Sequence, residues 1–334
     1  LKLWTEKEKG ERIKLYTARN GLDEADFIVN EANCLKRKHH NYSDIAVLYR
    51  TNAQSRVIEE ALLHAGIPYT LVGGTKFYDR KEVKDVISYL RLLINSKDSV
   101  SRKRIEKLGV RKLEKFKEFQ EGMEAIEGKT TLNILDLVLE KTGYLDLFQK
   151  ETEENLARLE NIKELRSVAT EFRDINEFLE NVALVEAEPH FAKPACRQGR
   201  ASRGTADHIT LMTLHAAKGL EFPVVFIVGM EEGLFPHSRS LWEQNQLEEE
   251  RRLAYVGITR AKETLYLSYA SRRIYFGEQV SNPPSRFIID IPENLIENLS
   301  SSFAPSTSLR ATGNTEINTN FEGVFDDIVE KYLK

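Results

Sequence analysis

The sequence predicts an α/β protein: a parallel sheet interrupted, and later completed, around an all-helical insertion. Three observations carry that reading. Short apolar runs alternate with amphipathic helical patterns up to residue 94. The same alternation resumes after residue 207, and the stretch between shows helical periodicity without a strand. Strand, helix, strand, helix is the pattern of a parallel sheet covered by helices.

In chain order, RIKLYTA (12–18) reads as the first strand and DEADFIVNEANCLKRK (23–38) as the helix after it. IAVLYR (45–50) is the second strand, SRVIEEALLHAG (55–66) its helix, and YTLVGG (69–74) the third strand. From 95 to 206 the apolar residues fall at helical spacing, as in Leu156, Leu159, Ile162, Leu165, Val168 and Phe172. HITLMTL (208–214) and PVVFIVG (223–229) return to strand patterns, LEEERRLAYVGIT (247–259) is helical, and LYLSYA (265–270) is a further strand. The expected domains are a discontinuous sheet domain of residues 1–94 and 207–298 and a helical insertion of residues 95–206. Residues 299–334 read as a flexible linker and a short C-terminal helix. EPHFAKPACRQGRASRG (188–204) has no periodicity and reads as a connector back into the sheet. The Ser/Thr/Asn-rich stretch 299–320 reads as linker, followed by the amphipathic run FDDIVEKYLK.

With 334 residues and 41% hydrophobic content the chain can bury two cores. A net charge of -4 with 30% charged residues gives no overall basic excess, so any nucleic-acid site must be a local patch. Cys34 and Cys196 show no metal-ligand spacing and no disulfide framework. LKLWTEKEKGERIK at the start lacks the apolar core of a signal peptide, and no apolar run approaches the ~20 residues of a membrane span. A cytoplasmic protein with no membrane partner is expected. The absence of an initiator Met points to a piece of a longer protein. No internal repeat is visible.

Two motifs imitate nucleotide chemistry. DEAD at Asp23–Asp26 resembles the acidic end of a magnesium-holding strand, but it follows TARNGL, not an apolar run, and leads into a helix whose first turn favours acids. GMEAIEGKT offers Gly128, Lys129 and Thr130, but Gly122 is one residue too far away for a phosphate-binding loop, and the surroundings are helical.

Four segments remain: IAVLYRTNAQSR, YTLVGGTKFYDRKEVKDVISYLRLL, TLHAAKGLEFPVVFIVGMEEGLFPHSRS and EEERRLAYVGITRAKETLYLSYA. Their order and wording resemble the second half of the UvrD/PcrA/Rep family of superfamily 1 DNA helicases, over about residues 1–95 and 207–295. The last two look like that family's motifs V and VI. The resemblance implies a RecA-like sheet of the P-loop NTPase type, a second motor domain with no P-loop of its own. ATP and Mg²⁺ would be held mainly by a first RecA-like domain, with single-stranded DNA running across both. It further implies 3′-to-5′ translocation in repair or replication, single/double-strand junctions as substrates, and repair or replication proteins as possible partners of the tail.

By the same match, Arg260 in GITRA is the catalytic candidate: a permanently charged planar fork suits γ-phosphate oxygens as charge builds in phosphoryl transfer. An arginine closing a helix C-terminus is the bland alternative. Glu221 in KGLEF would accept a hydrogen bond from the ribose, and Gly219 would let backbone approach the nucleotide. Thr213, His215 and Lys218 would contact DNA, against a buried structural histidine as the alternative. Phe276 in YFG would stack on a base, against core packing. Phe77, Tyr78, Arg80 and Arg91 interleave aromatic and basic groups as a DNA track would, with Phe77 and Arg91 the main candidates and some of the four facing the core. The insertion departs from the family, whose larger domain carries a Gly-x-Gly turn for duplex DNA; here KLGVRK (107–112) has one glycine in a locally basic stretch. A catalytically inactive DNA-binding or protein-interaction module is the competing reading. A nuclease-linked helicase subunit is a third, though no carboxylate-rich nuclease pattern follows residue 295.

Overall fold

The computed structural model describes residues 10–122, 128–187, 207–275 and 277–299. The expected connector at 188–204 lies outside the described residues, as does the tail from residue 300 onward. The chain separates into two units, one of residues up to Phe77 together with those from Leu184 to Ser302, the other containing Tyr78–Ala183.

The first unit is the sheet. In chain order it contains β1 (Ile13–Ala18), α1 (Gly21–Arg37), β2 (Ile45–Tyr49), α2 (Ser55–His64) and β3 (Tyr69–Val72). The second unit is helical, with α3 (Lys81–Ile94), α4 (Ser99–Glu106), α5 (Val110–Gly122), α6 (Thr131–Thr142) and α7 (Glu153–Glu171), and α8 (Ile175–Ala187) begins in it. The sheet unit then resumes with β4 (Ile209–Thr213), β5 (Phe222–Ile227), α9 (Gln244–Ile258) and β6 (Ala261–Ala270). It closes with the hairpin strands β7 (Arg273–Tyr275) and β8 (Glu278–Val280), the short α10 (Arg286–Ile289) and β9 (Ile296–Leu299).

The strand order is β3-β4-β2-β5-β6-β1-β9, and every pairing in this seven-stranded sheet is parallel. A parallel sheet must be covered on both faces, and the strand sequences show how. In β2, IAVLY, all five residues are buried, and alternation sends them to opposite sides. Ala46 and Leu48 join a core with Val225, Ile227, Leu267, Leu253 and Phe287, the last two from α9 and α10. Ile45, Val47 and Tyr49 join the other core with Phe226, Tyr266, Ile28 of α1 and Leu62 of α2. Each apolar run is thus continuous because it serves two cores at once.

Three features differ from the sequence expectation. The edge strand β9 lies in IENL, a polar stretch with no strand-like run, and pairs with β1 from Ile13↔Ile296 to Tyr16↔Leu299. The hairpin β7–β8 is also new. Finally, α3 packs with α4, α6 and α7, so the helical unit starts at Tyr78, upstream of residue 95.

In the helical unit the predicted stripe lies on α7, where Ile162, Leu165 and Val168 are buried. Polar groups inside it are paired. Asn161 accepts from Arg80 Nη1 at 2.6 Å and donates to Glu82 Oε1 at 2.6 Å. Asp85 accepts from Arg104 Nε at 2.6 Å and from the Tyr144 hydroxyl at 2.9 Å. Burial, reinforced by Asp85, pushes that hydroxyl's pKa up.

The imitation motifs resolve as local structure. DEAD lies in the first two turns of α1, with Asn20 as N-cap accepting from Asp23 N at 2.8 Å. Thr130 is the N-cap of α6, accepting from Asn133 N at 3.3 Å, and among the described residues no strand precedes it in this unit.

Candidate nucleotide and DNA interface

Because all seven strands are parallel, one edge of the sheet gathers their carboxyl ends and the opposite edge their amino ends. Strand β4 finishes at the carboxyl edge, where Thr213 is level with Tyr49 and Leu214 N donates to Tyr49 O at 2.8 Å. Strand β5 starts at the amino edge, where Phe222 is level with Ala261 and its N–H donates to Arg260 O at 2.9 Å. Residues 214–221 therefore travel the height of the sheet, on the order of 16 Å for a strand of this length. The Lys-Gly pair lies on that crossover and feeds no phosphate loop of its own.

At the amino edge the structure assembles three of the sequence candidates. Gly219 has φ 85°, a left-handed backbone that a side chain would strain, and open space where a Cβ would stand. Glu221 is exposed, with Lys262 Nζ 3.9 Å from its carboxylate. Arg260 follows the C-terminus of α9, and its half-buried guanidinium is held on three sides. Nε donates to Val256 O at 2.9 Å, Nη1 to Leu220 O at 3.0 Å and Nη2 to Thr259 Oγ1 at 3.0 Å. The bond to Val256 O satisfies a carbonyl at the helix end, so the capping role is present too. It does not consume the residue, since one N–H on each terminal nitrogen lies outside these bonds. Within α9, Gly257 allows close approach to the sheet: a Cβ there would lie 3.1 Å from Ile227 Cδ1 and closer still to Leu214 Cδ2.

Thr213 and His215 lie at the carboxyl edge. Thr213 Oγ1 accepts from Ala216 N at 3.3 Å, starting a turn in which Ala217 N donates to Thr213 O at 3.2 Å. His215 and Lys218 are exposed, so the histidine is not a core residue. Phe276 lies outside the described residues. Phe77 is 1% exposed and its N–H donates to Glu59 at 3.4 Å, so its ring packs in the interior and offers no face to a base. Tyr78 and Arg80 are likewise buried, and Arg91 is half-buried on α3 of the helical unit.

The sequence reading missed the groups that hold the carboxyl edge together. Arg273, at the start of β7, donates from Nη2 to Glu24 at 2.6 Å and to Glu231 at 2.7 Å. Glu24 also accepts from Gly229 N at 2.9 Å and Ser268 Oγ at 2.7 Å, and Glu231 from Ala270 N at 2.8 Å. Burial opposes the charge of Arg273, but Glu231 and Glu24 overcome it and hold the pKa above the ordinary arginine value. Nearby, Arg50 grips Glu250 of α9 through Nε at 3.0 Å and Nη2 at 2.7 Å, and His237 N donates to the same carboxylate at 3.2 Å. The acidic pair that follows the apolar run PVVFIVGM is the sequence signal that could have flagged Glu231. Among the described residues no group of three or more His, Cys, Asp and Glu side chains stands together as metal ligands.

Compared with known families, residues 2–156 and 110–272 match the UvrD-like helicase C-terminal domain. The chain belongs to that family. Among its relatives, the ATP-dependent DNA helicase PcrA of Bacillus subtilis (strain 168) is 45% identical over 348 aligned residues, covering 89% of this chain and 46% of the relative. PcrA of Staphylococcus aureus (strain Mu50) is 41% identical, with 90% and 46% covered, and that of Staphylococcus epidermidis 40%, with 88% and 46%. The chain thus spans about half the length of these relatives. No described helix of this UvrD-like chain is long and apolar enough to cross a membrane.

Proposed function

We propose that this chain is the second motor half of an ATP-dependent DNA helicase that translocates 3′ to 5′ on single-stranded DNA. The sheet unit is the second RecA-like domain and Tyr78–Ala183 the core of its helical insertion. ATP and Mg²⁺ bind mainly to a first, P-loop-bearing motor domain, and Arg260, Glu221 and Gly219 complete the nucleotide site from the amino edge. Thr213 and His215 meet the DNA backbone from the carboxyl edge and Lys218 from the crossover that leaves it, with Phe276 and Arg91 as further contacts. The observation that carries this reading is Arg260: its guanidinium is fixed by Val256, Leu220 and Thr259 while one N–H on each terminal nitrogen remains outside those bonds. Such a fork suits developing phosphoryl charge.

The chain by itself is expected to hydrolyse no ATP. Joined to a P-loop motor domain, it is expected to support DNA-stimulated turnover that Arg260→Ala lowers by roughly 10³–10⁵, the scale for arginines that stabilise phosphoryl transfer. Single-stranded DNA affinity, strand separation and turnover should be compared at one salt concentration, since phosphate contacts make affinity salt-dependent. Normal turnover in the Arg260→Ala protein would refute the nucleotide role. DNA binding without any turnover in the joined protein would favour the inactive DNA-binding module.

A further inference from the structure

We propose that Thr259 is a positioning residue for Arg260, its hydroxyl fixing the plane of the guanidinium that faces the nucleotide; this rests on the nucleotide role given to Arg260 above. The hydroxyl has one hydrogen to donate and lone pairs to accept. Its donor points back into the last turn of α9, 2.9 Å from Tyr255 O and 3.0 Å from Val256 O. Its acceptor side then faces Arg260 Nη2 at 3.0 Å. The hydroxyl's orientation is thus set by the helix end, and it presents a lone pair to the arginine.

The other two bonds to Arg260 come from backbone. Val256 O holds Nε, and Leu220 O, on the crossover just before β5, holds Nη1. A guanidinium tethered at Nε and Nη1 can still tilt about those contacts. The third contact, at Nη2, removes that freedom and leaves one N–H on each terminal nitrogen outside the three bonds. Thr259 is the only side chain among these three partners, so it is the one a substitution can remove. Its removal leaves no orphaned carbonyl, because Tyr255 O also accepts from Thr259 N at 3.0 Å and Val256 O from Arg260 Nε. A Thr259→Val protein therefore keeps its shape and helix end while losing the hydroxyl.

The test uses the protein that joins this chain to its P-loop motor domain, with Thr259→Val, Thr259→Ser and Arg260→Ala compared. Thr259→Val is expected to lower kcat about ten- to hundredfold, the value of one hydrogen bond to a charged group expressed as rate, with KM for ATP little changed. Thr259→Ser, which keeps the hydroxyl, is expected to restore turnover. A spectroscopic readout needs no turnover: NMR of the guanidinium nitrogens in the isolated chain should show hindered rotation of the Arg260 terminal nitrogens, lost in Thr259→Val and regained in Thr259→Ser. Wild-type turnover in Thr259→Val, with Arg260→Ala impaired, overturns the positioning role and leaves the nucleotide role intact. Equal losses in Thr259→Val and Thr259→Ser also overturn it, since the hydroxyl is then not what matters. Normal turnover in Arg260→Ala removes the nucleotide role and this inference with it.

Discussion

The two edges of the sheet are built differently. At the carboxyl edge, the partly buried Arg273 is held between buried Glu24 and Glu231, with side-chain exposures of 14%, 5% and 1%. This cluster fastens the start of α1, the loop after β5 and the hairpin after β6 to one another. At the amino edge, Arg260 is half-buried, takes backbone carbonyls and one hydroxyl as partners, and lies beside exposed Glu221. One edge spends its charges on internal cross-links, whereas the other keeps N–H groups of a charged side chain outside its internal bonds. Charge placed in the interior contributes rigidity, and charge held at the rim by neutral partners stays available to a ligand.

The comparison breaks most visibly through Arg273. Arg273→Ala leaves two buried carboxylates without their cation, and the isolated chain is expected to lose about 3–5 kcal/mol of stability in urea unfolding. Arg260→Ala in the same assay is expected to cost well under that, at most about 1 kcal/mol for a helix-end contact whose carbonyl keeps other donors within reach. Similar losses for both substitutions would erase the distinction between the edges.

Gly257 tests the close packing that joins α9 to the crossover. Gly257→Ala forces Leu214 and Ile227 to move in a filled core, costing about 1–3 kcal/mol, against about 1 kcal/mol regained from helix propensity. A net loss of up to about 2 kcal/mol is expected, read as a lower urea midpoint. Stabilisation would show that the crossover has room to shift.

The smallest effect concerns pH. Asp23 accepts from Arg19 Nη2 at 2.6 Å and from Arg19 N at 2.9 Å, and the Arg19 side chain foremost holds its pKa below the ordinary carboxylate value. Its folded pKa lies below its unfolded one, so its contribution is present above about pH 4 and is lost as pH falls through the lower, folded value. Asp23→Asn is expected to flatten part of the acid dependence of the unfolding midpoint while leaving the Arg273 cluster's effect intact. An unchanged acid limb would show that Asp23 contributes nothing there.

Much of the fold was legible because strands and helices write different periods into the chain. The runs IAVLY, ITLMT and FPVVFI are continuous because both sheet faces are covered, and that continuity is visible without coordinates. The motif wording around Gly219, Glu221 and Arg260 was equally visible, since those residues lie in two short stretches. Less legible was β9, whose residues IENL carry no apolar run because an edge strand is half relieved of burial. Phe77 and Arg80 illustrate a different failure. Alternating aromatic and basic residues suit a DNA track and a paired interior alike, and only burial separates the two.

By itself, then, the sequence determined the alternation of strands and helices, the interruption by a helical unit, the helical start at DEAD and the family motifs. All of these are local, fixed by the identities of residues close together in the chain. The tertiary structure decided that α3 joins the helical unit, that Thr213 and Arg260 stand at opposite edges of one sheet, and that Glu24, Glu231 and Arg273 share one buried site. Arg273 and Glu24 are separated by 249 positions, and no spacing rule connects residues so distant. Their pairing follows from the strand order β5-β6-β1, which brings three chain segments to adjacent positions at one edge. Strand order is set by which faces and hydrogen bonds can be satisfied together, a property of the whole packed sheet.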